Sequence, residues 1–138
     1  MTFRRAQSND CALLAELNHQ LIQDEGHRNK MSVPELEQRM KSWLSAEYTA
    51  QIFEVDAEIV AYGLYREQAA EIYLRQLFVS RNRRRQGIGR QSFEILRAQV
   101  WPKGKRLTVE VLTQNAAAIA FWRAVGYKDY CLTLEIIP

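Results

Sequence analysis

Apolar positions along the chain switch between helical and strand spacing, and each switch marks an element. Residues 3–6 read as a short strand. Ser8 or Asn9 then caps a helix whose apolar stripe is Leu13, Leu14, Leu17, Leu21 and Ile22. A polar loop over residues 24–31 follows. Ser32-Val33-Pro34-Glu35 has the form of a capping box with Pro34 in the first turn, and the helix it opens carries Leu36, Met40, Trp43 and Leu44 on one face. Residues 49–55 and 58–66 are rich in Ile, Val, Phe and Tyr and are separated by Asp56-Ala57, a hairpin spacing. A long strand is predicted over 71–80, then an arginine-rich loop and a helix from Gly87 to Trp101-Pro102. Residues 106–112 form an almost continuous apolar strand. A helix over 116–125, ended by Gly126, and a final strand over 127–136 complete the order β-α-α-β-β-β-α-β-α-β. This predicts an α+β domain with a mixed, mostly antiparallel sheet of six strands. The helix between 71–80 and 106–112 makes those two strands parallel neighbours.

Length and composition fit one domain over residues 1–138. Of its residues 47% are apolar and 25% charged, enough to bury a core without disulfide or metal staples. No apolar run is long enough to span a membrane, and no membrane partner is expected. The opening Met1-Thr-Phe-Arg-Arg-Ala lacks an apolar signal core, which predicts a cytoplasmic protein. Cys11 and Cys131 have no CxxC spacing, and His19 and His27 have no cysteine nearby, so no metal site is expected. Charge is unevenly divided. Residues 1–74 hold 7 Lys/Arg against 12 Asp/Glu, whereas residues 75–138 hold 12 against 4. This asymmetry suggests a polyanionic ligand on one side and a cationic one on the other.

The densest basic segment is Val79-Ser-Arg-Asn-Arg-Arg-Arg-Gln-Gly-Ile-Gly-Arg90, placed between a strand and a helix. A helix start offers unpaired N–H groups and the positive end of the helix dipole. Gly87 and Gly89 let an anion approach the backbone, and the arginines add charge-assisted contacts. Together these make a diphosphate cradle. The glycine spacing does not fit a dinucleotide fingerprint, and Gly89-Arg90-Gln91 does not fit a nucleotide P-loop. The cluster is one loop without interleaved aromatics, so nucleic acid is not the expected partner.

Arg84-Arg85-Gln86-Gly87-Ile88-Gly89 resembles the Arg/Gln-x-x-Gly-x-Gly/Ala signature of the GNAT superfamily of N-acetyltransferases, which bind acetyl-coenzyme A. Downstream, Asn115, Phe121-Trp122 and Gly126-Tyr127 are similar to that family's closing Asn…Phe-Tyr…Gly-Phe segment, and the element order agrees over nearly the whole chain. The resemblance implies that strands four and five splay apart, with the pantetheine arm on the backbone of Leu77, Phe78 and Val79. The diphosphate falls to Arg84, Arg85, Gln86, Gly87, Ile88, Gly89 and Arg90, and Asn115 and Trp122 complete the cofactor site. Direct attack of an amine on the thioester is implied, with acetyl-CoA as cosubstrate.

Where many relatives have a tyrosine acid, this chain has Trp122, whose indole does not release a proton at neutral pH. Tyr127 is then a substitute acid, and Glu71 and Tyr73, on one face of the fourth strand, are the positions for a base. The region of the first two helices, with Asp24, Glu25 and His27, is where the family takes its acceptor, a small-molecule or peptide amine. A CoA-binding domain without turnover is the alternative expectation. Exposed strand edges suggest a homodimer.

Overall fold

A computed structural model describes residues 1–138. Its elements are β1 (Thr2–Arg5), α1 (Cys11–Glu25), α2 (Val33–Leu44), β2 (Tyr48–Val55), β3 (Glu58–Glu67), β4 (Glu71–Val79), α3 (Ile88–Ile95), β5 (Arg106–Val109) and α4 (Ala116–Ala124). The strands lie in the order β1-β2-β3-β4-β5. Only the β4–β5 pair is parallel, as a crossover through α3 requires.

Local chemistry sets the boundaries. The amide of Glu35 donates to Ser32 Oγ (3.3 Å) while Glu35 Oε1 accepts from the Ser32 amide (2.9 Å), closing the box that starts α2. Gly26 ends α1 in the left-handed region (φ 64°), and His27 N–H reaches back to the Ile22 carbonyl at 3.0 Å. Asp56 and Ala57 both have positive φ (51° and 64°), the twist that a two-residue hairpin between β2 and β3 demands. The helix begun by α3 widens into one π-type turn over Leu96–Val100 before Trp101-Pro102 stops it.

Side-chain alternation divides the core into two layers. Leu14, Leu21 and Met40 of α1 and α2 pack on Ile52, Tyr62, Leu64 and Phe78 of one sheet face. On the other face, Ile88, Phe93 and Leu96 meet Phe53, Val60, Ile72 and Leu74. Apolar burial on both faces is the main stabilising term, at roughly 25 cal/mol per Å² removed from water.

Two features of β4 place the site. The β3 register steps from Leu64↔Gln76 to Tyr65↔Leu74, so Arg75 is an extra, bulged residue. Pairing with β5 also stops there, its last couple being Leu74↔Val109. Residues 75–79 therefore have β3 on one side and no strand on the other.

The expected sixth strand over 127–136 does not form, and the sheet has five strands. The segment has strand-like alternation, but β5 is only four residues long and the tail does not pair with its free edge. The tail is instead held by the Arg123–Asp129 (2.6 Å) and Arg28–Glu135 (2.8 Å) ion pairs and by Arg106 over the Tyr130 ring. Its apolar side chains stand in solvent, Leu134 being 84% and Ile136 96% exposed. No helix is long and apolar enough to cross a membrane.

Candidate active site

Beyond the parting of β4 and β5 the chain makes one short 3-10 turn (Arg81–Arg83) and enters α3. Arg85 (φ 63°) and Gly87 (φ 75°) both adopt left-handed backbone, which folds the loop back to start the helix. The first intrahelical bond runs from Gln91 N–H to the Gly87 carbonyl (3.0 Å), so the amides of Ile88, Gly89 and Arg90 have no acceptor in the helix. A Cβ on Gly87 would meet nothing within 4 Å; on Gly89 it would touch Val79 Cγ2 at 3.5 Å and Phe121 Cε1 at 3.6 Å, ordinary contacts.

The arginines of this loop are not equivalent. Arg81 and Arg84 both close on Asp24 of α1, at 2.8 and 2.6 Å, and Arg83 pairs with Glu58 at 2.8 Å. Arg84 Nε also donates to the Val79 carbonyl (3.1 Å), at the end of β4. Burial works to raise the Asp24 pKa, but the hydrogen bonds from Arg81 and Arg84 outweigh it and hold the carboxyl below its usual range. Arg85 and Arg90 have no carboxylate partner and remain available to an anion at the helix start.

A cavity of about 1550 Å³ opens between β4, β5, α4 and the α1–α2 loop. Tyr73 and Glu110 face each other on it, the Tyr73 hydroxyl donating to Glu110 Oε1 at 2.5 Å. Burial, then that hydrogen bond, raise the Tyr73 phenol well above its ordinary pKa. Glu71, on the same face, is held by Arg106 at 2.6 Å. Glu25 lines the cavity too, and burial with the neighbouring Asp24 charge pushes its carboxyl up. His27 Nδ1 accepts from the Asn29 amide (3.1 Å) and so shapes the loop.

Trp122 makes edge contacts with Phe93, Phe121 and Tyr127. Tyr127 Oη is buried in that aromatic group without a hydrogen-bond partner, and burial raises its pKa, so the phenol keeps its proton. Asn115 Oδ1 accepts from Ala118 N–H (3.2 Å) and caps α4.

The residues that the sequence nominates thus form two groups. Leu77–Val79, Arg85 and Gly87–Arg90 make one continuous track from the open strand to the helix start. Glu25, His27, Glu71, Tyr73, Trp122 and Tyr127 share the adjoining cavity. Asp24 is spent on the arginine loop. Glu110 was not singled out from sequence, although a lone carboxylate in the apolar run Leu107-Thr-Val-Glu-Val-Leu112 was a signal. The track fits acetyl-CoA: an unpaired strand edge suits the amides of a pantetheine arm, and unsatisfied amides with two unpaired guanidiniums suit a diphosphate.

Comparison with known proteins identifies the fold and the family. A search of curated protein sequences finds no match. Solved structures with the same fold include a mutant of the BH1408 protein from Bacillus halodurans, with a TM-score of 0.81 and 23% identity over 100% of this chain and 99% of that one. The aminoglycoside N-acetyltransferase AAC(6')-Iy in complex with CoA has a TM-score of 0.78 at 13% identity, covering 99% of this chain and 93% of that one. A protein from Clostridium acetobutylicum described as a predicted acetyltransferase, solved with acetyl-CoA, has a TM-score of 0.76 at 16% identity, covering 99% and 95%. The profile of the Acetyltransferase (GNAT) family matches residues 14–127, which span α1 to Tyr127 and include both the arginine loop and the cavity, and the chain belongs to that family.

Proposed function

We propose that this domain transfers the acetyl group of acetyl-CoA to a primary amine of a small molecule or a peptide. The observation that carries the reading is the track from the unpaired edge of β4 to the unsatisfied amides of Ile88, Gly89 and Arg90. In this reading the main chain of Leu77–Val79 and the Asn115 side chain hold the pantetheine arm. Arg85, Arg90 and the α3 amides hold the phosphates. When bound, acetyl-CoA supplies an activated acyl group at the parting of β4 and β5.

The chain's own groups do the rest. The β4 amide at Leu77, which faces the open edge while that of Phe78 faces β3, stabilises charge developing on the carbonyl oxygen. The Tyr73–Glu110 pair and Glu25 are the cavity groups able to take the proton that the attacking amine must lose. Tyr127, protonated and without a partner, is the donor to the departing thiolate, and Trp122 packs against it. Glu71, neutralised by Arg106, braces the start of the β4–β5 pair. The aminoglycoside acetyltransferases among the structural relatives support a small-molecule amine as acceptor.

A homodimer belongs to the same reading. Leu132, Leu134 and Ile136 of the alternating tail stand exposed, and a second copy would cover them.

The test is a thermal-shift titration with acetyl-CoA, using desulfo-CoA and ATP as controls, followed by thiol release across an amine panel. Stabilisation specific to CoA compounds with amine-dependent thiol release is expected. Stabilisation without release from any amine would favour a CoA-binding domain without turnover, for which Trp122 in the usual tyrosine position speaks. No stabilisation would refute the cofactor site.

A further inference from the structure

Three ion pairs line the cavity, Arg28–Glu135, Glu71–Arg106 and Arg123–Asp129, whereas Arg39 and Arg75 on its α1/α2 wall, like Arg97 and Lys128 elsewhere on it, make none. Arg75 is the bulged residue of β4; alternation puts it on the face of Tyr73, and the bulge brings Gln76 onto that face as well. Its guanidinium lies 4.6 Å from the Trp43 ring centroid, and Arg39 of α2 lies 4.2 Å from the same ring. Every ion pair in the chain is made by other residues. Arg75 gives one hydrogen bond, to Tyr48 Oη (3.3 Å), and Arg39 gives one, to Asn18 Oδ1 (3.2 Å). Stacking on indole engages the flat face of a guanidinium and leaves its in-plane N–H edge free.

This arrangement is costly as it stands. Burial and the Arg75 charge both work against the Arg39 cation. Arg39 Nε is buried with no acceptor, and so is the Nδ2 of Asn18, a side chain with 0% exposure. Buried N–H groups in native proteins nearly always have partners, and it is these two, rather than the exposed Arg75, that go unsatisfied. Arg39, Arg75, Asn18 and Gln76 all line the cavity. Nearby, Arg66 adds a third positive charge beside Tyr48 and Tyr73, with Glu47 3.7 Å away as its counterion. The missing component is an anion with several acceptor lone pairs, placed against two guanidinium edges.

The geometry points to a carboxylate-binding subsite at Arg39, Arg75 and Asn18, so that the amine acetylated is one that itself bears a carboxylate, as in an amino acid. The inference rests on the acetyltransferase reading and names its acceptor. A carboxylate accepts from both guanidiniums and from Asn18 Nδ2, and the amine end is left toward Glu25 and the Tyr73–Glu110 pair on the same cavity. A polycationic amine is disfavoured, because it would bring more positive charge to two uncompensated arginines.

The test uses the full chain with acetyl-CoA and matched acceptors: α-amino acids, their α-amides, and an aminoglycoside, followed by thiol release. Amino acids are expected to exceed their amides in kcat/KM by about 10- to 100-fold, the range for losing a charge-assisted contact. Arg75→Gln, at an exposed and therefore tolerant position, should collapse that acid-over-amide ratio toward one, and Arg75→Lys should restore part of it. Amides or the aminoglycoside reacting as well as the acids, or an unchanged ratio in Arg75→Gln, would overturn the subsite. Acetyl-CoA stabilisation measured on the same samples separates the two failures. If it is present while the acids show no preference, only the subsite falls; if it is absent, the acetyltransferase reading falls with it. Calorimetry of N-acetylated amino acids against the CoA-loaded chain gives a second readout, in which binding abolished by Arg39→Gln supports the subsite and absent binding refutes it.

Discussion

Gly89→Ala separates the requirements of the fold from those of the ligand at the start of α3. The new Cβ would sit 3.5 Å from Val79 Cγ2 and 3.6 Å from Phe121 Cε1, which is ordinary packing, and Gly89 has no positive φ. The unliganded chain should therefore melt at the same temperature or slightly higher, since Ala is favoured over Gly in a helix by up to about 1 kcal/mol. Binding should respond differently. A ligand at a hundredfold excess over its Kd stabilises by about 2.7 kcal/mol, roughly 10 °C for a chain of this size. If the methyl group holds the diphosphate off the amides and weakens Kd a hundredfold, the same concentration leaves RT ln 2, about 0.4 kcal/mol, or roughly 1–2 °C.

Thermal melts with and without acetyl-CoA, run on wild type and variant together, give both numbers. Gly87→Ala is the contrasting control. Its Cβ meets open space, but φ of 75° costs an Ala about 1–2 kcal/mol, so that variant should lose several degrees even without ligand. A Gly89→Ala chain that keeps the full acetyl-CoA shift would show that the helix start does not carry the phosphates.

Three other outcomes follow from the same geometry. Asp24→Asn should lower stability at neutral pH by about 1 kcal/mol or less, because its two arginine pairs are partly exposed. The Asp24 pKa is depressed, so its contribution is present above the unfolded carboxylate range and lost as pH falls through the lowered value. Denaturant curves of variant and wild type should differ at pH 7 and converge in acid, and coincident curves at pH 7 would remove the clamp. Tyr127→Phe deletes a buried hydroxyl that has no partner, so melting should be unchanged or raised while turnover falls about 100- to 10,000-fold; undiminished turnover would exclude Tyr127 as proton donor. Leu134→Ser combined with Ile136→Ser should convert a dimer to a monomer by light scattering, and a wild-type chain that is monomeric at high concentration would refute the dimer.

What the sequence shows of this fold is what depends on neighbours along the chain. The Ser32–Glu35 box, the Asp56-Ala57 hairpin and the Gly87 helix start are local chemistry, and each lies where the spacing puts it, whereas α1 runs to Glu25 and into the loop expected from residue 24. The missing sixth strand and the bulge depend on another strand. Alternation over 127–136 states that a strand can form there, but pairing needs a partner, and the tail does not take the free edge of β5. Nothing in Glu71-Ile-Tyr-Leu-Arg-Gln-Leu-Phe-Val79 marks Arg75 as the extra residue, because the bulge is a mismatch in register with β3. The loss of register at that point coincides with the end of the β4–β5 ladder, beside a cation that alternation already places on the cavity wall.

Charge shows the same distinction more sharply. The acidic excess of residues 1–74 suggested a cationic acceptor, yet a balance of formal charges says nothing about which of them are already compensated. Asp24 is taken by Arg81 and Arg84, Glu58 by Arg83, Glu67 by Lys105 and Glu71 by Arg106. In each case an acid from the first half neutralises a base from the second, so the two excesses largely cancel across the fold. What acts on a substrate is the remainder, and on the acceptor side it includes Arg39 from the acidic half and Arg75 from the first position of the basic one. Both stand against Trp43 with no counterion, and they put positive charge on one wall of a cavity whose other uncompensated groups include Glu25 and Glu110, a division that the balance of formal charges does not show.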